Sequence, residues 1–306
     1  MAIRAPLAVV VPAWKPQFLR QALASIAAQE GDFDCYVFDD AAPRLVQDIA
    51  ARYPQFVYHR FETNLGGRSL VAHWNRCLAG LDHEWIWLFS DDDVMQPGSV
   101  RAVLDTIAAE PRARVLQLPV DSVSADLDHL YWRSVPPTHE SATEFLQARL
   151  AGQRLSCLPD HVFHWPSLRR IAGGLVDLPL AWNADDASWL LLGKEAGLQS
   201  VPGAKVLWRQ SADNISGNVG QRWDKLRADL RFIDFLDKAE LPDLGWRRGL
   251  PGWLYRRLTD LYQVGFRDLA VAARVLPAAW WPVLVAAVLR STWHNAKRHV
   301  RREQPA

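Results

Sequence analysis

Three consecutive aspartates, Asp91, Asp92 and Asp93, follow directly on Ser90 and the apolar run Trp85-Ile-Trp-Leu-Phe89. Adjacent carboxylates repel one another, so nothing in strand packing asks for them at that place. A divalent cation does, because hard oxygen ligands suit Mg2+ or Mn2+. The same run also suits a solvated acidic turn that caps the next helix. A second pair, Asp39-Asp40, closes the run Asp34-Cys-Tyr-Val-Phe in the same manner. A third, Asp185-Asp186, precedes the stretch Ala187 to Ala196 and could cap that helix or exchange a proton. His161 and His164 lie three apart, but no further ligands follow at metal-site spacing, so they receive no role.

Buried strands are needed to position these groups. Leu7 to Ala13, Asp34 to Asp40, Phe56 to Arg60, Trp85 to Phe89 and Val115 to Val120 are short and mostly apolar, which predicts strands. Between them, Phe18 to Glu30, Arg44 to Tyr53, the segment with Val71, Trp74, Asn75 and Leu78, and Pro97 to Ala109 have helical spacing. Alternating strands and helices predict an α/β fold with a mostly parallel sheet covered on both faces. Ligands gather at the carboxyl ends of such strands, near a switch in strand order. That places Pro12-Ala13-Trp14, Asp39-Asp40 and Asp91 to Asp93 along one edge.

Composition narrows the classes further. A chain of 306 residues can build a sizeable core, and its net charge of +1 gives no bulk attraction to nucleic acid. Three widely spaced cysteines form no CxxC pair, which fits a reducing compartment. No secretory signal is expected at the N-terminus, and no segment reaches the about 20 apolar residues of a spanning helix.

From Gln221 onward the pattern becomes helix after helix, with stripes at Leu226, Leu230, Ile233 and Leu236 and at Leu254, Leu258, Leu261 and Tyr262. Five of the 15 tryptophans (Trp246, Trp253, Trp280, Trp281 and Trp293) fall in this part. An uncharged stretch between Arg274 and Arg290 precedes Lys297, Arg298, Arg301 and Arg302. Such a segment, 275–302, suits either an anionic membrane interface or packing on the catalytic domain or a second subunit.

The ordered set Val9-Val-Val-Pro-Ala-Trp14, Leu23 to Gln29, Val37-Phe-Asp-Asp40, Asn64-Leu-Gly-Gly67, Trp74-Asn-Arg76 and Phe89-Ser-Asp-Asp-Asp-Val-Met-Gln-Pro97 resembles the family 2 glycosyltransferases. The likeness is close over residues 7 to about 110 and, with gaps, continues to about 216. It implies a GT-A fold, a nucleotide-diphosphate sugar donor, Mg2+ or Mn2+, and inversion at the anomeric carbon. The expected organisation is a transferase domain over 1–220, split into a nucleotide-binding half (1–110) and an acceptor half (111–220), with a helical extension over 221–306.

The resemblance also assigns roles. Asp40, with Asp39 beside it, would meet the nucleotide base, and Pro12, Ala13 and Trp14 would pack on base or ribose, with a core position equally open to Trp14. Asn64 would be a donor contact, and Arg68, in the same turn, is either an extra diphosphate contact or an exposed surface arginine. The usual Asp-x-Asp-Asp reads Ser-Asp-Asp-Asp here, so Asp93 is expected to hold the metal with Asp91 as its pair, and Asp91 and Asp92 share the ribose contact. Asp186 aligns with the catalytic base and Asp185 with its acidic neighbour. The family's histidine after the strand Lys205 to Trp208 is missing, which leaves Arg209, Gln210 or Ser211 in its place. The acceptor is expected to be a surface glycan or a lipid-linked glycan, built on the cytoplasmic face of a membrane. Two rivals are a nucleotidyltransferase, whose glycine-rich phosphate loop is missing after the first strand, and a transferase-like binding protein.

Overall fold

The computed structural model describes residues 5–211, 219–242 and 245–302, the last eleven of them by backbone alone. Residues 212–216 of the sequence resemblance and the side chains of Lys297, Arg298, Arg301 and Arg302 therefore lie outside the described residues.

The nucleotide half alternates strictly. Strands β1 (Leu7–Ala13), β2 (Phe33–Asp39), β3 (Val57–Arg60) and β4 (Trp85–Leu88) are separated by helices α1 (Pro16–Ala27), α2 (Arg44–Ala50) and α3 (Leu70–Leu78). A two-residue strand β5 (Val94–Met95) and helix α4 (Ser99–Ala109) follow. The second half supplies β6 (Val115–Gln117), β7 (Val120–Val123), β8 (Leu130–Ser134), β9 (His139–Glu140), α5 (Ala142–Ala151), β10 (His161–His164) and α6 (Trp165–Ala172). It ends with α7 (Ala184–Ala196), β11 (Leu198–Ser200) and β12 (Val206–Arg209). Helices α8 (Arg222–Lys238), α9 (Leu250–Arg256), α10 (Leu269–Val275) and α11 (Trp281–Arg302) complete the chain.

Eight strands form one sheet in the order β3-β2-β1-β4-β10-β6-β11-β9. Strands β1 to β4 run parallel, and β10 is antiparallel to both β4 and β6. A smaller sheet has the order β5-β12-β7-β8. The single strand expected over Val115 to Val120 is thus two strands in two sheets. Pro119 has no N–H to donate to a ladder, and the chain changes sheets there.

Side-chain alternation on the central strands makes two cores. Leu7, Val9, Val11, Trp85 and Trp87 face the core beneath α1, α2 and α4, whereas Ala8, Val10, Ile86 and Leu88 face the other. That second core also contains Leu226, Phe232, Trp246, Leu254, Leu258 and Leu284. The C-terminal helices therefore share an apolar core with the main sheet rather than forming a core of their own.

The strand order reverses beside β1: the chain moves outward through β2 and β3, then returns as β4 on the other side. A crevice opens at such a reversal, outside the carboxyl ends of β1 and β4. Trp14 and the acidic run meet there.

Candidate active site

A cleft of about 730 Å³ opens over these strand ends. It is lined by Pro12, Ala13, Trp14, Asp40, Asn64, Gly66, Asp91 and Asp92, together with Arg149, Asp185 and Asp186. Trp14 leaves half of its surface exposed (50%), so its indole is available for stacking.

The acidic run divides its labour. Asp91 Oδ2 accepts the backbone N–H groups of Trp14 (2.9 Å) and Lys15 (2.8 Å), which ties the end of β1 to the loop after β4. Burial, then the neighbouring Asp92, raises Asp91 to about 6. Asp92 lines the cleft, with Lys15 Nζ at 3.9 Å. Asp93 is buried and does not line the cleft; its Oδ1 accepts the backbone N–H of Arg209 at 2.7 Å. Its Oδ2 is buried without a hydrogen-bond partner of normal geometry, although the Ser90 hydroxyl stands near enough to offset part of the charge. Burial and Asp92 push its carboxyl well above the usual range.

Asp91 and Asp92 both line the cleft, Asp91 with one oxygen already spent on the Trp14 turn, while Asp93 stands buried behind them. Among the described residues no group of three or more His, Cys, Asp or Glu could enclose an ion alone. Mg2+ needs no such cage, since it is ordinarily held by one or two carboxylates together with substrate phosphates. Asp92 at the cleft and the orphaned oxygen of Asp93 behind it fit an arrangement of that type. An ion bound there would supply Lewis-acid stabilisation to a departing diphosphate.

Arg209 corrects a second expectation. Rather than facing phosphates in the place of a histidine, its side chain is buried behind the acidic loop. It donates through Nε to the Asp92 carbonyl (2.6 Å), through Nη2 to Gln21 Oε1 (2.8 Å), and through Nη1 to the Ala125 carbonyl. The guanidinium also lies 4.1 Å from the Phe18 ring centroid. Gln210 is spent on Ser122 Oγ at 2.6 Å.

Asp39 and Asp40 part company. Asp39 is fully buried away from the cleft, where it accepts from Ala42 N (2.7 Å), Tyr58 Oη (2.5 Å) and Arg60 Nη1 (2.6 Å). It braces β2 against β3 and is not a donor contact. Asp40 lines the cleft, but its oxygens already accept Leu65 N (2.9 Å), Gly66 N (2.8 Å) and Arg76 Nη2. A Cβ on Gly66 would stand 2.7 Å from Asp40 Oδ2, so this close approach requires glycine. Asn64 Oδ1 accepts Gly67 N at 2.8 Å and Asn64 Nδ2 donates to the Asp40 carbonyl at 3.2 Å. The turn at 64–67 is therefore built on Asp40. Arg68 is exposed and outside the cleft lining, the placement of a surface arginine.

The Asp185–Asp186 pair lies within the first turn of α7, two and three positions past the N-cap residue Asn183. Asp186 is clamped: Arg149 Nε reaches Oδ1 (3.2 Å) and Oδ2 (3.0 Å), and Nη2 reaches Oδ2 (2.8 Å). Asp185 accepts only the Asp186 backbone N–H, at 2.9 Å through Oδ1, and its other oxygen meets no protein donor among the described residues. Burial, then the Asp186 charge, raises Asp185 to about 7. Beneath the pair, His161 Nδ1 lies 2.6 Å from Asp160 Oδ1, and its ring stacks on Trp189 at 5.1 Å. Burial alone would lower this histidine, yet the Asp160, Asp185 and Asp186 carboxylates hold it above its usual value. His164 caps α6 by accepting from Ser167 N.

Packing of the C-terminal helices on the catalytic domain was one of the alternatives, but their reach into the cleft was not foreseen. Phe232 on α8 and Trp253 and Arg256 on α9, with Arg257 beyond it, line the cleft beside Trp182. The only sequence signal was the apolar stripe on each helix, which says that a face is covered but not by what.

A switch-point crevice with carboxylates at the strand ends and a second acidic pair opposite defines a GT-A nucleotide-sugar transferase. The sequence profile described as glycosyl transferase family 2 matches residues 8–164, and this chain belongs to that family. It is a glycosyltransferase that uses a nucleotide-sugar donor. A search of curated proteins gives no match. Among solved structures, the chain is similar to S. aureus TarS 1–349, with TM-score 0.59 and 14% identity over 93% of this chain and 79% of that one. The same protein in complex with UDP-GlcNAc aligns equally well at 15% identity, TM-score 0.59 and the same coverage. A longer chain of S. aureus TarS aligns with TM-score 0.60 and 15% identity, over 92% of this chain and 50% of its own. At such identities the likeness speaks to the fold.

Proposed function

We propose that this chain transfers one sugar, with inversion and with Mg2+ or Mn2+, from a nucleotide-diphosphate donor to a hydroxyl of a surface glycan or lipid-linked acceptor. The observation that supports the reading is that Asp92 and Asp185 line the same cleft. One is suited to the diphosphate end of the donor, the other to the acceptor hydroxyl.

In this reading the 64–67 turn, braced by Asp40, receives the base end, and Trp14 stacks on it. Asp92, supported by Asp93, would hold the metal. Asp185 takes the proton from the attacking hydroxyl as the new glycosidic bond forms and the nucleoside diphosphate leaves. A proton acceptor works best when its pKa lies near the operating pH and it is not already bonded; Asp185 is raised to about 7, whereas the Asp186 oxygens are taken up by Arg149. Asp186 acts by holding Arg149 and the first turn of α7. The division into a transferase domain over 1–220 and an extension over 221–306 is kept as a division of labour, with the extension walling the acceptor end.

Thermal-shift measurements with nucleoside diphosphates and their sugars, with and without Mn2+, test the donor. Metal-dependent stabilisation by one base is expected, since a ligand that binds only the native state raises stability. Silence across the panel would favour a non-catalytic binding protein. The anomeric configuration of the product, read by NMR, tests inversion.

A further inference from the structure

The solvent-facing side of the C-terminal helices departs from ordinary surface chemistry. Every exposed position from Pro277 to Leu289 is apolar. On α11, Trp281 (49% exposed), Val285 (51%) and Leu289 (66%) recur every four residues and so share one stripe. The adjoining face of the same helix is already used, because Leu284, Ala287 and Val288 are buried in the core. Packing on this chain therefore accounts for one face and leaves the other, apolar as well, without a partner among the described residues. Phe266 (73% exposed) stands on the turn that packs against α11, where a Cβ on Gly265 would stand 3.6 Å from Ser291 Oγ.

Charge says what covers it. Residues 261–302 carry seven Arg or Lys and a single acid, Asp268, in a chain whose net charge is only +1. Asp268 is itself paired with Arg222 at 2.7 Å. Arg267 and Arg274 are exposed on the elements that precede the stripe, and Arg290 follows it. No helix is long and apolar enough to cross a membrane. An apolar face that includes tryptophan, set among cations, matches the boundary between acyl chains and anionic headgroups. A second copy of the chain would bring the same cations against each other, so it is the poorer complement.

We propose that Phe266 and the stripe Trp281, Val285 and Leu289 enter the surface of an anionic lipid bilayer, with the surrounding cations held at the headgroups. Helix α11 packs on α9, the helix that carries Trp253 and Arg256 into the cleft, and Arg290 lies 5.6 Å from the Tyr255 ring of that helix. The acceptor end of the cleft thus lies one helix from the lipid. Use of this face to receive a lipid-linked acceptor rests on the transfer reaction proposed above.

Flotation of the full chain with vesicles of phosphatidylcholine and phosphatidylglycerol in equal parts tests the face without any transfer step, so the two readings fail separately. Binding to these vesicles and not to phosphatidylcholine alone is expected, weakening as salt is raised. The triple substitution Trp281→Ser, Val285→Ser, Leu289→Ser should lower the partition coefficient at least tenfold with an unchanged circular dichroism spectrum, since all three side chains point outward. Arg267→Glu with Arg274→Glu should weaken binding to the anionic vesicles by a similar factor while leaving the stripe in place. Failure of the native chain to float, or equal flotation by the triple variant, overturns the proposal. So does light scattering that finds a native dimer converted to monomer by the triple substitution, because the face would then belong to a second copy.

Discussion

Asp229, fully buried on α8, accepts a hydrogen bond from Trp182 Nε1 at 2.9 Å and so ties the C-terminal helices to the loop that enters α7. The same carboxylate accepts from Asn183 Nδ2 (3.0 Å) and Tyr262 Oη, with Arg257 Nε at 3.8 Å. The loop has much to be held against. Leu180, Ala181 and Asn183 all have positive φ (60°, 55° and 61°), a backbone region that non-glycine residues enter at a cost. Two residues further on stands Asp185. A carboxylate outside the family-matched segment therefore sets the approach to the proposed base.

Replacing Asp229 by Asn presents an amide N–H₂ to a nest of donors, so at least one of the three hydrogen bonds is lost. A buried donor left without its acceptor costs about 1–3 kcal/mol. Urea denaturation of Asp229→Asn should show a loss of that order, and transfer should fall further than donor binding. Trp182→Phe removes one bond and keeps an aromatic ring, so it should give a milder version of both effects. Equal transfer by all three proteins would show that the loop holds its shape without α8.

Substitutions in the acidic pair should separate a proton acceptor from a positioning residue. Asp185→Asn is expected to abolish transfer while donor-induced thermal stabilisation persists. Asp186→Asn should lower transfer as well, by loosening Arg149, and should also lower thermal stability because a clamped buried cation loses its partner. In the native enzyme kcat/KM should rise with pH through about 7, as Asp185 ionises. A flat profile between acid and neutral pH, or native rates for Asp185→Asn, would return the base assignment to Asp186.

The same carboxyl carries a stability consequence of definite sign. Its folded-state pKa of about 7 lies above the ordinary value of 3.8. The native state thus holds this proton over a range in which the unfolded chain has lost it, and stability from this group declines as pH rises between those values. Asp185→Asn removes the decline. Its melting temperature should match the native protein near the lower limit, exceed it progressively up to about neutral pH, and keep a constant advantage above that. An advantage that is largest in acid would contradict the assignment.

Much of this site was legible in the residue order, and the reasons for the misses are local. Apolar strands that end in Asp40 and at Ser90 predicted the crevice, because strand alternation fixes where the carboxyl ends lie. The division of work among neighbouring carboxylates was not legible: Asp39 and Asp40 differ by one position, yet side chains on successive strand residues point to opposite faces. Likewise, Asp91 is drawn to two backbone N–H groups from Trp14 and Lys15, which are 77 and 76 residues away in sequence. The break between β6 and β7 could have been read from Pro119. The Asp229 contact could not, since an aspartate on an amphipathic helix usually faces water and α8 carries three others.

Arg209 gives the sharpest test of the metal loop. One guanidinium holds the Asp92 carbonyl, Gln21 and the Ala125 carbonyl, while its own backbone N–H holds Asp93. Arg209→Lys keeps the backbone bond and a positive charge but cannot span three acceptors with a single ammonium. The variant should lose about 1–3 kcal/mol of stability, from carbonyls left buried without donors. Its requirement for Mn2+ should rise, since Asp92 is presented to the cleft by the backbone that Arg209 grips. Arg68→Ala serves as the control: an exposed arginine outside the cleft should change neither stability nor the Mn2+ titration of transfer. If Arg68→Ala raises the Mn2+ requirement and Arg209→Lys does not, the diphosphate lies against the 64–68 turn instead, and Arg68 makes the contact that the sequence resemblance left open to it.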